Sequence, residues 1–417
     1  MSRGRIFWCV LLLSSMAIAQ SPIVESHDLP SAIGTVGKEP AASEDDTAYV
    51  QGLVDAGAIV PPGTYVLRRT IVVRRPYTVV QGSGPKTIFI FQPSLPLERC
   101  VNDRAFTTSC DSFFNPITQT NVNRRQIAAP ISIGDSSFQT VDDSSKLRPG
   151  DWLVITDNDS HIGPVAIDWV QVASAVGNTV RVTIPFRTAF PIAYSWDPVY
   201  SGLGFFKVVN PVHHVRFRNF TVEVPDSSIH TAGISIYNAQ HVVVENLNVQ
   251  ESNGQALYSF LSQDVTFRNC FAYSGKVLSE FASTVDLTLR GNEFSSIGDA
   301  SFGLDLGIGF FDVRHNKVTS SLNVGMYVLY AVHDGNIERN SIGIVPSQQS
   351  AIGILVRGAQ NVTITHNYLA GGQGPHSIGL SIGPELSLDV PIESYGNVVS
   401  PNTFGTWYED YDPDNQP

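Results

Sequence analysis

The sequence predicts an all-β fold, a parallel β-helix, and three observations carry that prediction. First, a short alternating strand ending in Asn recurs from about residue 214 onward: His214-Val-Arg-Phe-Arg-Asn219, His241-Val-Val-Val-Glu-Asn246, Asp264-Val-Thr-Phe-Arg-Asn269, then strands ending at Asn292, Asn316, Asn340 and Asn367. The intervals are 27, 23, 23, 24, 24 and 27 residues. Second, another strand keeps phase with it, opening at Gly233, Gly303, Gly325, Gly353 and Gly379. Both alternate with period two, as a strand with one buried face must. Third, helical periodicity is almost absent from these repeats.

Two or three short strands per repeat suit coils stacked about 4.8 Å apart, so that equivalent residues become neighbours. A leucine-rich repeat has a similar period, but its Leu-x-x-Leu-x-Leu spacing is missing. The recurrent Asn belongs inside a tight bend, where its amide can bond to backbone and to the Asn above and below. Asn also tolerates left-handed backbone angles. The expectation is one continuous ladder from Asn219 to Asn367.

The elements before the repeats follow in order. Arg3 and Arg5, an apolar run from Ile6 to Leu13 and Ala17-Ile-Ala19 read as a cleaved export leader over residues 1–19. That run is too short to cross a bilayer, which needs about 20 residues, and no later stretch reads as a membrane span. Residues 20–130 are expected to hold a cap and the first coils. Within them, Asp45-Asp46 opens a helix with apolar Val50, Leu53 and Val54, and Gly57 stops it. Residues 131–200 read as a small inserted β element, with a hairpin turning at Gly177-Asn178. Residues 201–400 are the main coils, and the acidic tail over 401–417 reads as an end cover.

The order Asp46-Thr-Ala, Asp55-Ala-Gly57, Pro61-Pro-Gly-Thr-Tyr65 and Gly82-Ser-Gly-Pro85 resembles the start of the pectate-lyase-like superfamily. That resemblance implies a right-handed β-helix of the rhamnogalacturonase, epimerase and tailspike kind, a capping helix in this segment, and a polysaccharide or oligosaccharide partner. It transfers no catalytic residue. The Asn-Thr-Asp, Gly-His-Gly and Arg-Ile-Lys strings of polygalacturonases are absent here.

Composition narrows the classes further. Charged residues make up 15 % of the chain and the formal net charge is −12, becoming −14 once the two leader arginines are removed. Such a surface argues against nucleic acid, whose binders concentrate positive charge. Cys100 and Cys110 bracket a polar loop and are expected to pair in an oxidising compartment. Cys270 is then left as a buried structural thiol. No spacing of Cys and His suggests a metal site.

Stacking the second strand places Ser235, Tyr258 or Ser259, Glu280, Asp305, Tyr327, Leu355 and Ser381 roughly in an outward column. Glu280 and Asp305 fall on consecutive coils, with backbones expected about 5 Å apart. Paired carboxylates suit glycoside hydrolysis, one protonated as acid and one ionised as nucleophile or base. Asp299 is a third carboxylate just upstream, and Tyr258 and Tyr327 are placed to stack on sugar rings. Lys276 and His230 are the candidate bases for the alternative, proton abstraction by a uronate lyase or epimerase; calcium is expected only in that alternative. The third class is a non-catalytic glycan-binding or adhesive solenoid. Neither the glycan nor the oligomeric state follows from the sequence.

Overall fold

The computed structural model describes residues 45–98, 101–109, 124–160, 162–197, 201–208, 211–226, 228–298, 300–319, 323–344, 351–371, 377–388 and 390–404. The leader, the Cys100–Cys110 pair, Asp299 and the tail beyond residue 404 lie outside the described residues.

Among the described residues a single helix, Thr47–Ala56, covers the first coil and buries Val50 and Val54 against the solenoid core. Asp46 does not cap the helix; its Oδ2 accepts instead from the Val66 amide at 2.9 Å, tying the helix to the first coil. Gly57 ends it at φ 66°, a left-handed turn that costs glycine least.

Beyond the helix the chain coils into stacked parallel strands. Nine of them, from Ile71–Val72 to Ile378–Gly383, form one sheet, and a larger sheet of eighteen strands wraps the rest of each coil. Long strands such as Val212–Val224 bend midway, so one half pairs with Val79–Gly82 and the other with Thr87–Phe91. Inside runs a continuous apolar stack that includes Phe89, Phe106, Phe217, Phe220, Phe267, Phe281 and Phe294.

The recurrent asparagines split into two columns. Asn219, Asn246 and Asn269 have φ of 61°, 54° and 52°. They lie on the outer bend in line with Gly291, His315, Arg339 and His366, which share that backbone conformation. The inward column runs one residue later, through Phe220, Leu247 and Cys270, and only then becomes Asn292, Asn316, Asn340, Asn367 and Asn402. The expected single ladder is therefore corrected: 269 and 292 are not equivalent. Sequence spacing hides this because both positions favour Asn for different reasons, left-handed backbone outside and amide bonding inside.

In the inner ladder every amide is used. Asn316 Oδ1 accepts from the Asn292 amide at 2.9 Å and Asn292 Nδ2 at 3.0 Å. Its Nδ2 donates to the Leu289 carbonyl at 2.9 Å and Asn340 Oδ1 at 3.0 Å. Cys270 starts the ladder: its amide donates to Asn292 Oδ1 at 3.0 Å, and burial pushes its thiol up to about 12.

The solenoid is interrupted after the strand Arg104–Thr107. A six-stranded sheet made of Arg125–Gln126, Ser137–Gln139, Trp152–Asp159, Gly163–Val176, Thr179–Val182 and Gly202–Val208 is spliced in before Val212. It takes in strands on both sides of the expected 131–200. It has its own core, including Phe138, Ile155 and Phe205. A second face, with Trp169 and Phe206, packs on Tyr237, Phe260 and Val285 of the coils. Farther along the same seam, Gly307 (φ 72°) lies so close to the insert that an added Cβ would sit 2.6 Å from the Val165 carbonyl.

Two stability outcomes follow from this packing. Asn316→Gly should cost on the order of 3 kcal/mol, because buried backbone groups lose their partners, whereas Asn246→Gly should stay within about 0.5 kcal/mol. Chemical denaturation of both variants checks the contrast, and equal losses would refute the two-column assignment. Gly307→Ala should destabilise by about 1–3 kcal/mol and speed limited proteolysis of the insert; unchanged cleavage would refute the tight seam.

Candidate functional site

The outward face of the nine-stranded sheet is set by its register. Ser235 pairs with Tyr258, Tyr258 with Glu280, Glu280 with Gly303, Gly303 with Tyr327, Tyr327 with Leu355 and Leu355 with Ser381. The expected column is right except at one coil. Asp305 lies two residues farther along its strand, opposite Ala282. Glu280 and Asp305 are thus diagonal neighbours on one face, with backbones about 8 Å apart from strand spacing and rise, not 5 Å. The cause is local: Gly303 takes the position beside Glu280, where Leu278 Cδ1 would meet any Cβ at 2.5 Å.

Both carboxylates are half-buried. Burial pushes Glu280 up to about 7, opposed by a hydrogen bond that Gln255 Nε2 donates to its Oε2. Asp305 is raised well above the ordinary carboxylate range, first by burial, then by the negative charge of Glu280 and of Glu385. The Leu306 amide donates to Asp305 Oδ1 at 2.7 Å. These are the conditions under which one carboxyl group holds a proton near neutral pH beside another that loses it.

Tyr258 stands directly beside Glu280, its ring stacked on Phe260 with centroids 6.1 Å apart. It packs against the cluster in which Trp169 and Phe206 of the insert meet Tyr237 and Phe260 of the coils. Tyr327 is half-buried on the far side of Gly303. Lys276 and His230 sit exposed in turns ahead of the sheet, and among the described residues neither bonds to the carboxylate pair.

Three participants were not anticipated from the sequence. Gln255 orients Glu280; its only signal is a polar residue at the strand position where Ala232 stands one coil earlier. Glu385 lies beyond the last repeat, in a hairpin closed by the Glu385 and Ile392 backbones, where periodicity gives no guidance. Arg357 lies two coils beyond Asp305 in the same column, and its Nη2 donates to Ser381 Oγ at 3.0 Å.

Other perturbed groups have structural work. Burial pushes Glu251 up to about 7, and its carboxylate receives the Thr231 hydroxyl at 2.7 Å and the amides of Asn253 and Gly254. His213, His214 and His241 gather on an outer bend, where His241 Nδ1 lies 2.6 Å from Asp264 Oδ2. Among the described residues no three His, Cys, Asp or Glu side chains are arranged to hold a metal ion, and no helix there is long and apolar enough to cross a membrane.

Comparison with known proteins adds the following. The family model described as periplasmic copper-binding protein (NosD) matches residues 215–409. No curated protein matches the sequence. Among solved structures, the tailspike protein gp49 of Pseudomonas phage LKA1 overlays at TM-score 0.57 with 14 % identity, covering 86 % of this chain. The chain spans 57 % of that tailspike's length. PfbA, a surface adhesin of Streptococcus pneumoniae, overlays at 0.49 with 10 % identity over 90 % of this chain and 78 % of its own. The DFA-IIIase of Arthrobacter chlorophenolicus A6 overlays at 0.48 with 11 % identity over 90 % and 91 %. The likeness to the tailspike is one of fold, a parallel β-helix.

The raised carboxyl groups fix a sign for stability against pH. Glu280, Asp305 and Glu251 bind protons more tightly folded than unfolded, so their contribution is full below about pH 4 and is lost as pH rises toward 7. The thermal midpoint should fall between pH 5 and pH 8, and Glu280→Gln should flatten that fall. A pH dependence unchanged in Glu280→Gln would contradict the burial of Glu280.

Proposed function

We propose that the chain is an exported carbohydrate-active protein that hydrolyses glycosidic bonds, with Glu280 and Asp305 as its carboxylate pair. The observation that carries this reading is the pair itself: two half-buried carboxyl groups on one sheet face, each raised, with Tyr258 alongside. Asp305, raised by burial and by the charges of Glu280 and Glu385, serves as the acid. It gives its proton to the glycosidic oxygen as the anomeric carbon–oxygen bond breaks. Glu280, held by Gln255, is either the base that takes a proton from the attacking water or the nucleophile that bonds to the anomeric carbon, a bond then broken by water that the ionised Asp305 deprotonates. Tyr258 and Tyr327 offer ring faces to the sugar. Glu385 adds a third negative charge beside the pair, while Arg357 stands two coils away bonded to Ser381; the excess of negative charge at the pair itself favours an uncharged glycan there and sets hydrolysis ahead of uronate elimination or epimerisation. Export is supported by the leader pattern over residues 1–19 and by the periplasmic description of the matching family model.

The test is a panel of neutral, capsular and uronate polysaccharides, with product mass read for gain of water. Glu280→Gln and Asp305→Asn should each lower kcat by about 100-fold or more. Full activity in both variants would remove the pair from the chemistry, and unsaturated products would move the reading to elimination.

A further inference from the structure

A cavity of about 380 Å³ opens where the inserted sheet, the bends of the coils and the hairpin closed by Glu385 and Ile392 meet. Val165 and Ala166, which close on Gly307, form part of its wall, and neither Glu280 nor Asp305 lines it. Such a volume falls at the lower end of the range of small-molecule sites, which favour boundaries between structural units.

Two side chains in the wall are buried with hydrogen-bonding capacity unused. Asp157 is 1 % exposed; its Oδ2 receives the Ala193 amide at 3.4 Å, while its Oδ1 has no partner. Thr188 is 5 % exposed and its hydroxyl has no partner. Buried polar groups are nearly always satisfied, so each exception asks for a ligand or a solvent molecule. Burial pushes Asp157 up to about 6, so it is mostly an acceptor at neutral pH. At the mouth, Tyr395 is 55 % exposed with its hydroxyl donated to Gln360 Oε1 at 2.9 Å, leaving its ring face open. The cation in the wall, Arg187, is already spent on Asp286 through bonds of 2.9 and 2.7 Å.

We propose that this cavity binds one neutral sugar unit, whose hydroxyls satisfy Asp157 and Thr188 while Tyr395 covers its apolar face. The proposal rests on the carbohydrate reading above but not on the catalytic pair. Hydroxyls both donate and accept, so one unit can meet a carboxylate and a hydroxyl together. With Arg187 already bonded to Asp286, the carboxylates of Asp157, Asp334 and Glu393 in the wall disfavour a uronate.

The experiment is titration of the full chain with glucose, galactose, mannose, N-acetylglucosamine and galacturonate, followed calorimetrically and by saturation-transfer NMR. At least one neutral sugar should bind, Thr188→Val should weaken it tenfold or more, and Thr188→Ser should restore it. Binding of none of the neutral sugars, or tighter binding of galacturonate, overturns the proposal. Binding kept in Thr188→Val but lost in Glu280→Gln also overturns it, placing the sugar at the carboxylate pair and leaving the hydrolase reading intact. Thr188-dependent binding in a protein that cleaves no glycan supports the cavity while removing the hydrolase reading.

Discussion

Coil-to-coil registration is the constraint on which the rest of this molecule depends, and the inner asparagine ladder is what fixes it in the second half. From Asn292 to Asn402 each buried amide accepts from the coil before it and donates to a backbone carbonyl inside. A slip of one residue would leave several of these groups unpaired and turn every outward side chain inward.

The switch from an apolar column to an amide column at Cys270 shows how one position in a repeat can be filled in two ways. Phe220 and Leu247 fill the bend with hydrocarbon, and Asn292 onward fill it with hydrogen bonds. Cys270 suits the junction. It is small and buried, its thiol contacts the carbonyls of Val244 and Arg268, and its amide supplies the first donor to the ladder. Nothing about that environment favours a thiolate.

The insert decides the electrostatics of the solenoid face. On an open β-helix the outward residues would meet water on every side. Here a second sheet packs across Tyr237, Phe260 and Val285, and the hairpin from Glu385 approaches from the far end. Desolvation is accordingly the first cause of the raised Glu280 and Asp305, and the charge of Glu280 raises Asp305 further. The same packing encloses the cavity around Asp157 and Thr188.

The sequence by itself determined the repeat, the parallel coils, the capping helix stopped at Gly57, the presence of an insert and the column from Ser235 through Tyr258 and Glu280 to Ser381, because period-two alternation and a fixed repeat length are local properties. It misplaced what depends on a single-residue offset. Asn269 and Asn292 look equivalent on paper, yet one is a left-handed bend and the other a buried amide. Asp305 looked level with Glu280 until Gly303 took that place. Gln255, Glu385, Asp157 and Thr188 were out of reach altogether: no periodicity links them, and only the docking of the insert and the final hairpin onto the coils brings them together and removes their water.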